Sequence, residues 1–294
     1  MKRPVLLLFL LAICFPASAG ISGYFAQVAV QAGVYTSFMA EEGWEFDGAA
    51  CFYGAMLEEG ESVSNSAYFN QGVNYNVWCF GDEDVNDLDL KITDSKGNLV
   101  CEDASEDKIP NCLFNPRISD SYTITVTSYD ANDMALVFWG IMSDAESMYF
   151  NSGGKCANAL VSAIEFFEYL DEYADAGDYR FLLNEISLIG GIMNEGETQC
   201  FYNFTVPYDS SCFFVGFGSE EVLDFDIKVC EQRGLDLVNY NYEDNEYQLV
   251  GADNTEDAVA SVCGMLWNTE YYALKYRNYS STESGFVFTL ILAE

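Results

Sequence analysis

The clearest pattern in the chain is a strict alternation of apolar and polar residues that occurs twice. Residues 87–94 read Asp-Leu-Asp-Leu-Lys-Ile-Thr-Asp, and residues 224–231 read Asp-Phe-Asp-Ile-Lys-Val-Cys-Glu. A period of two residues is typical of a β-strand that buries one face and exposes the other. Because the charged positions match as well as the apolar ones, the two strands are predicted to be copies of each other.

The similarity between the two halves continues at both ends of the repeated unit. Residues 122–142 align without a gap on residues 272–292, and each stretch predicts a strand, a polar turn and a closing strand. The closing strands are apolar at successive positions, which predicts cover on both faces. Near the start, residues 54–61 resemble residues 191–197. The sequence therefore predicts an internal duplication, with an acidic surface-loop insertion at 239–257 in the longer second copy.

Upstream of each repeated unit the apolar period becomes helical. Four apolar residues of the second copy show this spacing: Leu160, Ile164, Phe167 and Leu170. A second helix is predicted at 179–193, and the first copy has equivalent segments at 24–39 and 46–57. We therefore expect a mainly β fold with helical segments, in which two antiparallel, jelly-roll-like β-sandwiches are each preceded by a helix pair.

These patterns divide the chain into two copies and a leader. Residues 1–19 are predicted to be a signal peptide, and residues 143–155 to be a linker. The first copy, 20–142, has its helical segment at 20–59 and its sandwich at 60–142. The second copy, 156–294, has its helical segment at 156–195 and its sandwich at 196–294.

The first residues predict export from the cytoplasm. The basic start Met1-Lys2-Arg3 precedes an apolar run at 5–15, and Ala17-Ser18-Ala19 supplies the small residues that precede a signal-peptidase cleavage site. The run is shorter than the roughly 20 apolar residues that span a bilayer. We expect cleavage near Ala19 and a secreted protein in the medium, on the cell surface or in the periplasm, with no transmembrane segment.

The charge balance limits the partners of the chain. It has 12 basic and 47 acidic residues, and loss of Lys2 and Arg3 with the leader leaves 10 basic residues, a net charge of −37. Nucleic acids and anionic lipids bind through Lys and Arg, so such a surface repels them. The expected partners are extracellular polysaccharide or a cell-envelope component, and a homo- or hetero-oligomer stays open.

The cysteines predict disulfides. Nine of the ten remain after cleavage, and an exported chain oxidises its cysteines by default. Cys212 and Cys230 lie symmetrically about a turn, so antiparallel strands would place them within disulfide reach. Cys101 and Cys112 could close a short loop. The odd count leaves at least one thiol, and the absence of histidine makes a zinc site unexpected.

Two further sets of residues are candidates for ligand binding. Asp82, Asp84, Asn86 and Asp87 offer oxygen atoms in a turn, which suits calcium, although an acidic solvated turn is the alternative interpretation. Tyr240, Tyr242 and Tyr247 lie in the acidic insertion and could stack on sugar rings, although ordinary loop packing is the alternative. No other cofactor is expected.

The order of motifs in the first copy resembles a known module. The run is Gly60-Glu61, Tyr68-Phe69, Gly72, a strand at 75–80, Asp-Leu-Asp-Leu at 87–90, Lys96-Gly97-Asn98, Phe114-Asn115-Pro116-Arg117 and a strand at 122–126. It resembles the bacterial pre-peptidase C-terminal (PPC) domain, and the second copy follows through the repeat but lacks the Pro-Arg segment. The resemblance implies a non-catalytic, jelly-roll-like sandwich of a kind that accompanies secreted enzymes and surface proteins. Some such modules bind calcium or polysaccharide.

Histidine-dependent catalysis is excluded by composition. A chain with no histidine has no Ser-His-Asp or Cys-His arrangement. A hydrolase that uses paired carboxylates stays open, because 47 acidic residues make chance pairs certain. We therefore predict a non-enzymatic, secreted or cell-surface binding or structural protein that binds polysaccharide or a surface. The alternatives are a secreted carboxylate-type hydrolase and a disulfide-linked extracellular assembly subunit.

Overall fold

The computed structural model describes residues 21–46, 48–145, 149–173, 179–206, 208–232, 247–253, 255–268 and 270–294. Within these ranges the first copy forms α1 (Ile21–Glu41), β1 (Glu45–Phe46), β2 (Phe52–Leu57), β3 (Ser62–Phe69), β4 (Tyr75–Gly81), β5 (Val85–Thr93), β6 (Leu99–Asp103), β7 (Asn111–Phe114), β8 (Asp120–Ala131) and β9 (Ala135–Ser143). The second copy forms α2 (Ser152–Tyr173), β10 (Arg180–Phe181), β11 (Ile186–Met193), β12 (Thr198–Phe204), β13 (Ser210–Gly218), β14 (Val222–Gln232), β15 (Tyr247–Asp253), β16 (Val259–Leu266), β17 (Tyr271–Ser281) and β18 (Gly285–Ala293).

In the described ranges the strands form three antiparallel sheets arranged in layers. The inner sheet has ten strands in the order β16-β13-β18-β11-β2-β9-β4-β7, and β1 and β10 add to β9 and β18. Two four-stranded outer sheets, β3-β8-β5-β6 and β12-β17-β14-β15, cover one face of it. The two helices pack together against the opposite face. The fold is therefore a duplicated β-sandwich whose two halves share one continuous inner sheet.

The two copies meet where β2 pairs with β11, an antiparallel joint that places Tyr53 opposite Ile189. On either side of this joint the same neighbours follow, β9, β4 and β7 in one direction and β18, β13 and β16 in the other. The two alternating segments of the sequence become β5 and β14, in which Leu88 and Phe225 are both buried. The strand order thus repeats in the two halves, which agrees with the predicted internal duplication.

The closing strands β9 and β18 are buried at every position. An outer sheet covers one face of each strand, and the helices cover the other face. The Phe25 ring of α1 lies 5.5 Å from that of Phe138 in β9 and 4.9 Å from that of Phe167 in α2. The prediction that these strands are covered on both faces is confirmed, because the side chains on both faces are buried.

The prediction of a helix pair before each sandwich is wrong in its second member. The first helix of each pair is present as α1 and α2, but 46–57 holds β1 and β2, and 179–193 holds β10 and β11. Both segments lie at the centre of the inner sheet, where nearly every residue is buried. A short apolar run without alternation fits a buried strand and a helix equally well. The inner sheet therefore begins upstream of residues 60 and 196.

The joint between the copies depends on close backbone approach. A Cβ atom on Gly191 would overlap the carbonyl oxygen of Gly48. That carbonyl accepts a hydrogen bond of 3.0 Å from the Ile192 N–H, and the Tyr276 hydroxyl donates to the Ala49 carbonyl at 2.7 Å. The segment before β2 is thereby tied to the second copy.

Two connections differ from the sequence-based expectation. The insertion predicted at 239–257 contains β15, which pairs with β14 as β6 pairs with β5. The predicted linker is shorter than 143–155, because Ser143 ends β9 and α2 begins at Ser152. The Glu45 carboxylate accepts hydrogen bonds from the Asn151 and Ser152 N–H groups (2.9 and 2.6 Å). An acidic group at this helix start is favourable because the helix N-terminus carries partial positive charge.

Candidate functional site

A groove lies between the two outer sheets, directly over the joint of β2 and β11. The outer sheets end at β3 and β12, and these two edge strands face each other across it. The groove has a volume of 530 Å³. Its lining comprises Ala50, Tyr53, Ser62, Val63, Ser64, Asn65, Ser66, Asn184, Glu185, Ile186, Ile189, Gln199, Cys200, Phe201, Tyr202, Phe204 and Thr205.

Aromatic rings form part of the groove lining. Tyr53 stacks on Trp139, with ring centroids 5.5 Å apart and planes at 15°. The Tyr53 hydroxyl donates to the Ala50 carbonyl (2.7 Å), and burial raises the pKa of this hydroxyl. The Trp139 indole N–H donates to the Asn65 side-chain oxygen (2.9 Å). These contacts hold the Tyr53 ring and the Asn65 amide in fixed positions beside the groove.

The walls of the groove are rich in uncharged polar groups. On β3, the Ser62 and Ser64 hydroxyls share hydrogen bonds with Thr127 and Thr125 of β8 at 2.9 and 2.8 Å. On β12, the Tyr202 ring is 37 % exposed. Hydroxyl groups both donate and accept hydrogen bonds, so they can bind a ligand that carries both donors and acceptors.

The groove continues along β3 as a second cavity of 270 Å³, which shares Ala50, Tyr53 and Ser66 with the first. Tyr68 lies in this second part, and its ring is 62 % exposed. The two parts together follow the whole of β3. An eight-residue strand is about 26 Å long at roughly 3.3 Å per residue, so the groove suits an extended ligand.

The groove contains one carboxylate and no basic side chain among the described residues. The carboxylate is that of Glu185, whose pKa is raised because neighbouring groups exclude water. Its neighbour Asn184 has a positive φ of 57°, which asparagine tolerates better than most residues. The Asn184 N–H donates to the Met56 carbonyl (2.7 Å), and its side-chain oxygen accepts from the Glu58 N–H (3.1 Å). Asn184 therefore connects the two copies at one end of the groove.

The four residues predicted to bind calcium lie in the β4–β5 turn and the start of β5. Asp82 is buried, and its carboxylate accepts hydrogen bonds from the N–H groups of Leu136 (2.8 Å) and Asp84 (3.1 Å). Burial raises the pKa of Asp82 to about 7, against the effect of those bonds. Asn86 and Asp87 are successive strand residues, the first exposed and the second buried. In the described part of the chain, no three acidic or cysteine side chains form a group that could hold a metal ion.

The disulfides differ between the copies. Cys101 of β6 and Cys112 of β7 form a disulfide with Cα atoms 6.0 Å apart, which joins the outer sheet to the inner sheet. The predicted disulfide between Cys212 and Cys230 is not formed. Cys212 lies in β13 of the inner sheet and Cys230 in β14 of the outer sheet, so the chain crosses between sheets where a hairpin was expected.

The second copy replaces its disulfide by apolar packing. Gly251 occupies the register of Cys101, and Val262 that of Cys112. A Cβ atom on Gly251 would overlap the Val262 side chain, so valine fills the space of the missing bridge. Cys263 follows Val262 and is exposed on the other face of β16.

The tyrosines proposed for sugar stacking cannot be placed in this site. Tyr240 and Tyr242 lie outside the described residues. Tyr247 begins β15, where its backbone pairs with that of Gln232.

Sequence patterns did not predict the residues that line the groove, among them Tyr53, Tyr68 and Tyr202. A signal was present in the first copy, where Ser62-Val-Ser-Asn-Ser66 carries small polar side chains at an unusual density. Such a run reads as an ordinary exposed strand face, because its opposite wall comes from residues 199–205, more than 130 positions away.

Comparison with known proteins finds only distant similarity. No protein-family model matches the chain, and no curated protein matches it. Among solved structures, Aeromonas hydrophila PliG, a periplasmic lysozyme inhibitor, is 10 % identical over 32 % of this chain and 88 % of that chain, with a TM-score of 0.24. The CBM22-1–CBM22-2 tandem domain of Paenibacillus barcinonensis Xyn10C is 10 % identical over 86 % of this chain and 94 % of that chain, with a TM-score of 0.22. At such TM-scores these similarities carry no functional argument.

The two described helices were also compared with the requirements of a membrane span. Neither α1 nor α2 is long and apolar enough to cross a bilayer.

Proposed function

We propose that the protein is a non-catalytic, exported binding protein that holds an extended, uncharged polysaccharide in the groove between its two copies. The observation that carries this proposal is the lining of the groove, which combines hydroxyl and amide groups with aromatic rings. Sugars present both hydroxyl groups and apolar ring faces. A concave site with aromatic surfaces and a few placed polar groups is the usual way to bind such a ligand.

The charge distribution supports an uncharged ligand. The chain has 47 acidic residues, yet Glu185 supplies the one carboxylate of the described groove lining. An anionic polymer would meet the repulsive field of the whole protein and no basic side chain in the site. A neutral polymer loses no ionic hydration on binding, so hydroxyl and ring contacts are sufficient.

The proposal also retains the predictions of export and of a PPC-like module. The Cys101–Cys112 disulfide supports an oxidising compartment, since such bonds are rare in the cytosol. A carboxylate-type hydrolase is less well supported, because glycoside hydrolysis needs two carboxyl groups across the bond that is cut. The groove offers Glu185 alone among its described lining residues.

The test is binding of the purified chain to an array of neutral and charged glycans, followed by calorimetry on those that bind. Replacement of either exposed groove ring, by Tyr68→Ala or Tyr202→Ala, is expected to weaken binding by about 1 kcal/mol, roughly fivefold in Kd. Tyr129→Ala is the matched control, because Tyr129 is 63 % exposed on β8 and lies outside the groove lining. Binding to no neutral glycan, or equal losses in all three variants, would contradict the proposal.

A further inference from the structure

The inner sheet has two free edges in the described structure, and they differ. The first-copy edge is β7, a strand of four residues that is followed by Pro116 and Arg117. The second-copy edge is β16, a strand of eight residues with the uncharged sequence Val-Ala-Ser-Val-Cys-Gly-Met-Leu. Proteins commonly protect sheet edges by keeping them short or by placing proline or charge there. By this criterion β7 is protected and β16 is open.

The open edge also exposes apolar side chains. Val259 and Met265 are 39 % and 51 % exposed, and Trp267, just beyond the strand, is 48 % exposed. These residues share the helix-side face of the sheet, because Val259 pairs with Phe217, whose ring lies 5.4 Å from Phe166 of α2. Helix α2 does not cover the edge strand itself. The exposed thiol of Cys263 lies in the middle of this row.

One backbone group of β16 already has a partner. The Ser261 N–H donates to the Asp253 carboxylate at 2.6 Å, as the Asn111 N–H of β7 donates to Asp103 at 2.9 Å. In the described structure no side chain caps the strand at Cys263. Both copies thus close one N–H of the edge strand with a carboxylate, and a strand that pairs along β16 has to displace Asp253 from the Ser261 N–H.

We propose that β16 pairs with β16 of a second copy of this chain, about a twofold axis through Cys263, and that the two Cys263 thiols form an intermolecular disulfide. Residues directly opposite in antiparallel strands have Cα atoms about 4.5–5.5 Å apart, within the disulfide range of about 4.4–6.8 Å. In this register Ser261 of each copy lies opposite Met265 of the other, and Val259 lies opposite Trp267. Exposed Val259 therefore faces exposed Trp267 of the other copy on both sides of the axis.

Two reasons favour a second copy of this chain as the partner of the β16 edge. The protein already joins one repeat to another by antiparallel pairing of β2 with β11, and pairing at β16 continues the same inner sheet in the same way. The protected β7 edge then stops the assembly at two chains, since a twofold contact closes on itself.

Formation of the bond requires an oxidant. The two thiols lose two protons and two electrons as the Sγ–Sγ bond forms. A low-molecular-weight disulfide accepts them by exchange, and its own S–S bond breaks to give two thiols. Buried Cys212, whose pKa burial raises to about 12, is unsuited to this exchange because thiolate is the reactive form.

The experiment measures the molar mass of the purified chain by light scattering after equilibration in an oxidised-glutathione buffer, with mass spectrometry of the cross-linked peptide. We expect twice the mass of one chain, a Cys263–Cys263 peptide, and loss of this species in Cys263→Ser. Cys230→Ser is the matched control, since Cys230 is a partly exposed cysteine outside the edge and should leave the dimer unchanged. A wild-type monomer under these conditions, or a dimer linked through another cysteine, would overturn the proposal.

A second measurement tests the register. In a Cys263→Ser background, the double substitution Ser261→Cys and Met265→Cys should restore the covalent dimer. The new thiol at position 261 of each copy then lies opposite the new thiol at position 265 of the other copy. The single variant Ser261→Cys should not restore it. Equal cross-linking by the single and the double variant would exclude the twofold axis at Cys263.

Discussion

Replacement of Asp82 by asparagine should change how the free energy of unfolding depends on pH. The Asp82 side chain is 1 % exposed in the β4–β5 turn, and no basic side chain is among the groups that shift its pKa. Burial raises this pKa from 3.8 to about 7, although the N–H groups of Leu136 and Asp84 favour the charged form. At the equivalent position of the second copy, Ser219 accepts the Phe286 N–H at 3.1 Å with an uncharged hydroxyl.

The direction and size of the change in the free energy of unfolding follow from the number of protons that the folded and unfolded chains bind. Between about pH 4 and pH 7 Asp82 is ionised in the unfolded chain but keeps its proton in the folded chain. The contribution of Asp82 to the free energy of unfolding therefore falls as the pH rises through this window and stays constant above it. A shift of about three units corresponds to about 4 kcal/mol. Asparagine has one acceptor oxygen and should lose about 1 kcal/mol of hydrogen bonding. Asp82→Asn is therefore expected to destabilise the protein by about 1 kcal/mol at pH 4 and to stabilise it by about 3 kcal/mol at pH 8.

The assay is urea unfolding of wild type and Asp82→Asn at several values between pH 4 and pH 8. The control is Glu59→Gln, which removes an exposed carboxylate that is not among the groups that shift the pKa of Asp82 and should leave the shape of the pH profile unchanged. Parallel profiles for wild type and Asp82→Asn would contradict this prediction, because the buried carboxyl would then titrate alike in the folded and the unfolded chain.

Three further changes have expected outcomes that thermal or urea unfolding can check. Gly191→Ala should destabilise the protein by about 3 kcal/mol or more, because its Cβ atom would displace backbone at the joint between the copies; an unchanged midpoint would contradict the packing described there. Loss of the Cys101–Cys112 disulfide by paired serine substitution should cost about 3 kcal/mol, and a reducing agent should then have no further effect at this site. Tyr276→Phe should cost about 1–3 kcal/mol by leaving a buried carbonyl oxygen unpaired, and full stability of this variant would show that water takes the place of the hydroxyl.

Predictions from the sequence are confirmed where a local pattern has one structural meaning. The alternation around Leu88 and Phe225 fits only a half-buried strand, and both residues are buried in equivalent strands. Helical spacing in the second copy identified α2 for the same reason. The pattern failed at 46–57 and 179–193, because strands buried on both faces show no alternation, and only their position in the sheet distinguishes them from helices.

Cysteine spacing, like the apolar pattern, fits more than one structure. Cys101 and Cys112 are close along the chain, and the structure brings β6 and β7 together at the edge of the first sandwich. The symmetric placement of Cys212 and Cys230 about a turn suggested a hairpin, but β13 and β14 belong to different sheets. Spacing alone does not tell whether a turn joins neighbours in one sheet or crosses between two sheets.

The duplication, the strand periodicity and the acidic, histidine-free composition were determined by the sequence alone, because each depends on a local pattern, on the recurrence of such a pattern along the chain, or on simple counts. The shared inner sheet, the groove and the contrast between the β7 and β16 edges were decided by tertiary structure. The shared inner sheet and the groove arise where segments more than a hundred residues apart meet, as Tyr53 meets Ile189, and the two edges are the strands that this arrangement leaves without an outer neighbour. Neither segment contains a local pattern that identifies its partner, because burial and hydrogen bonding at the joint depend on both segments together.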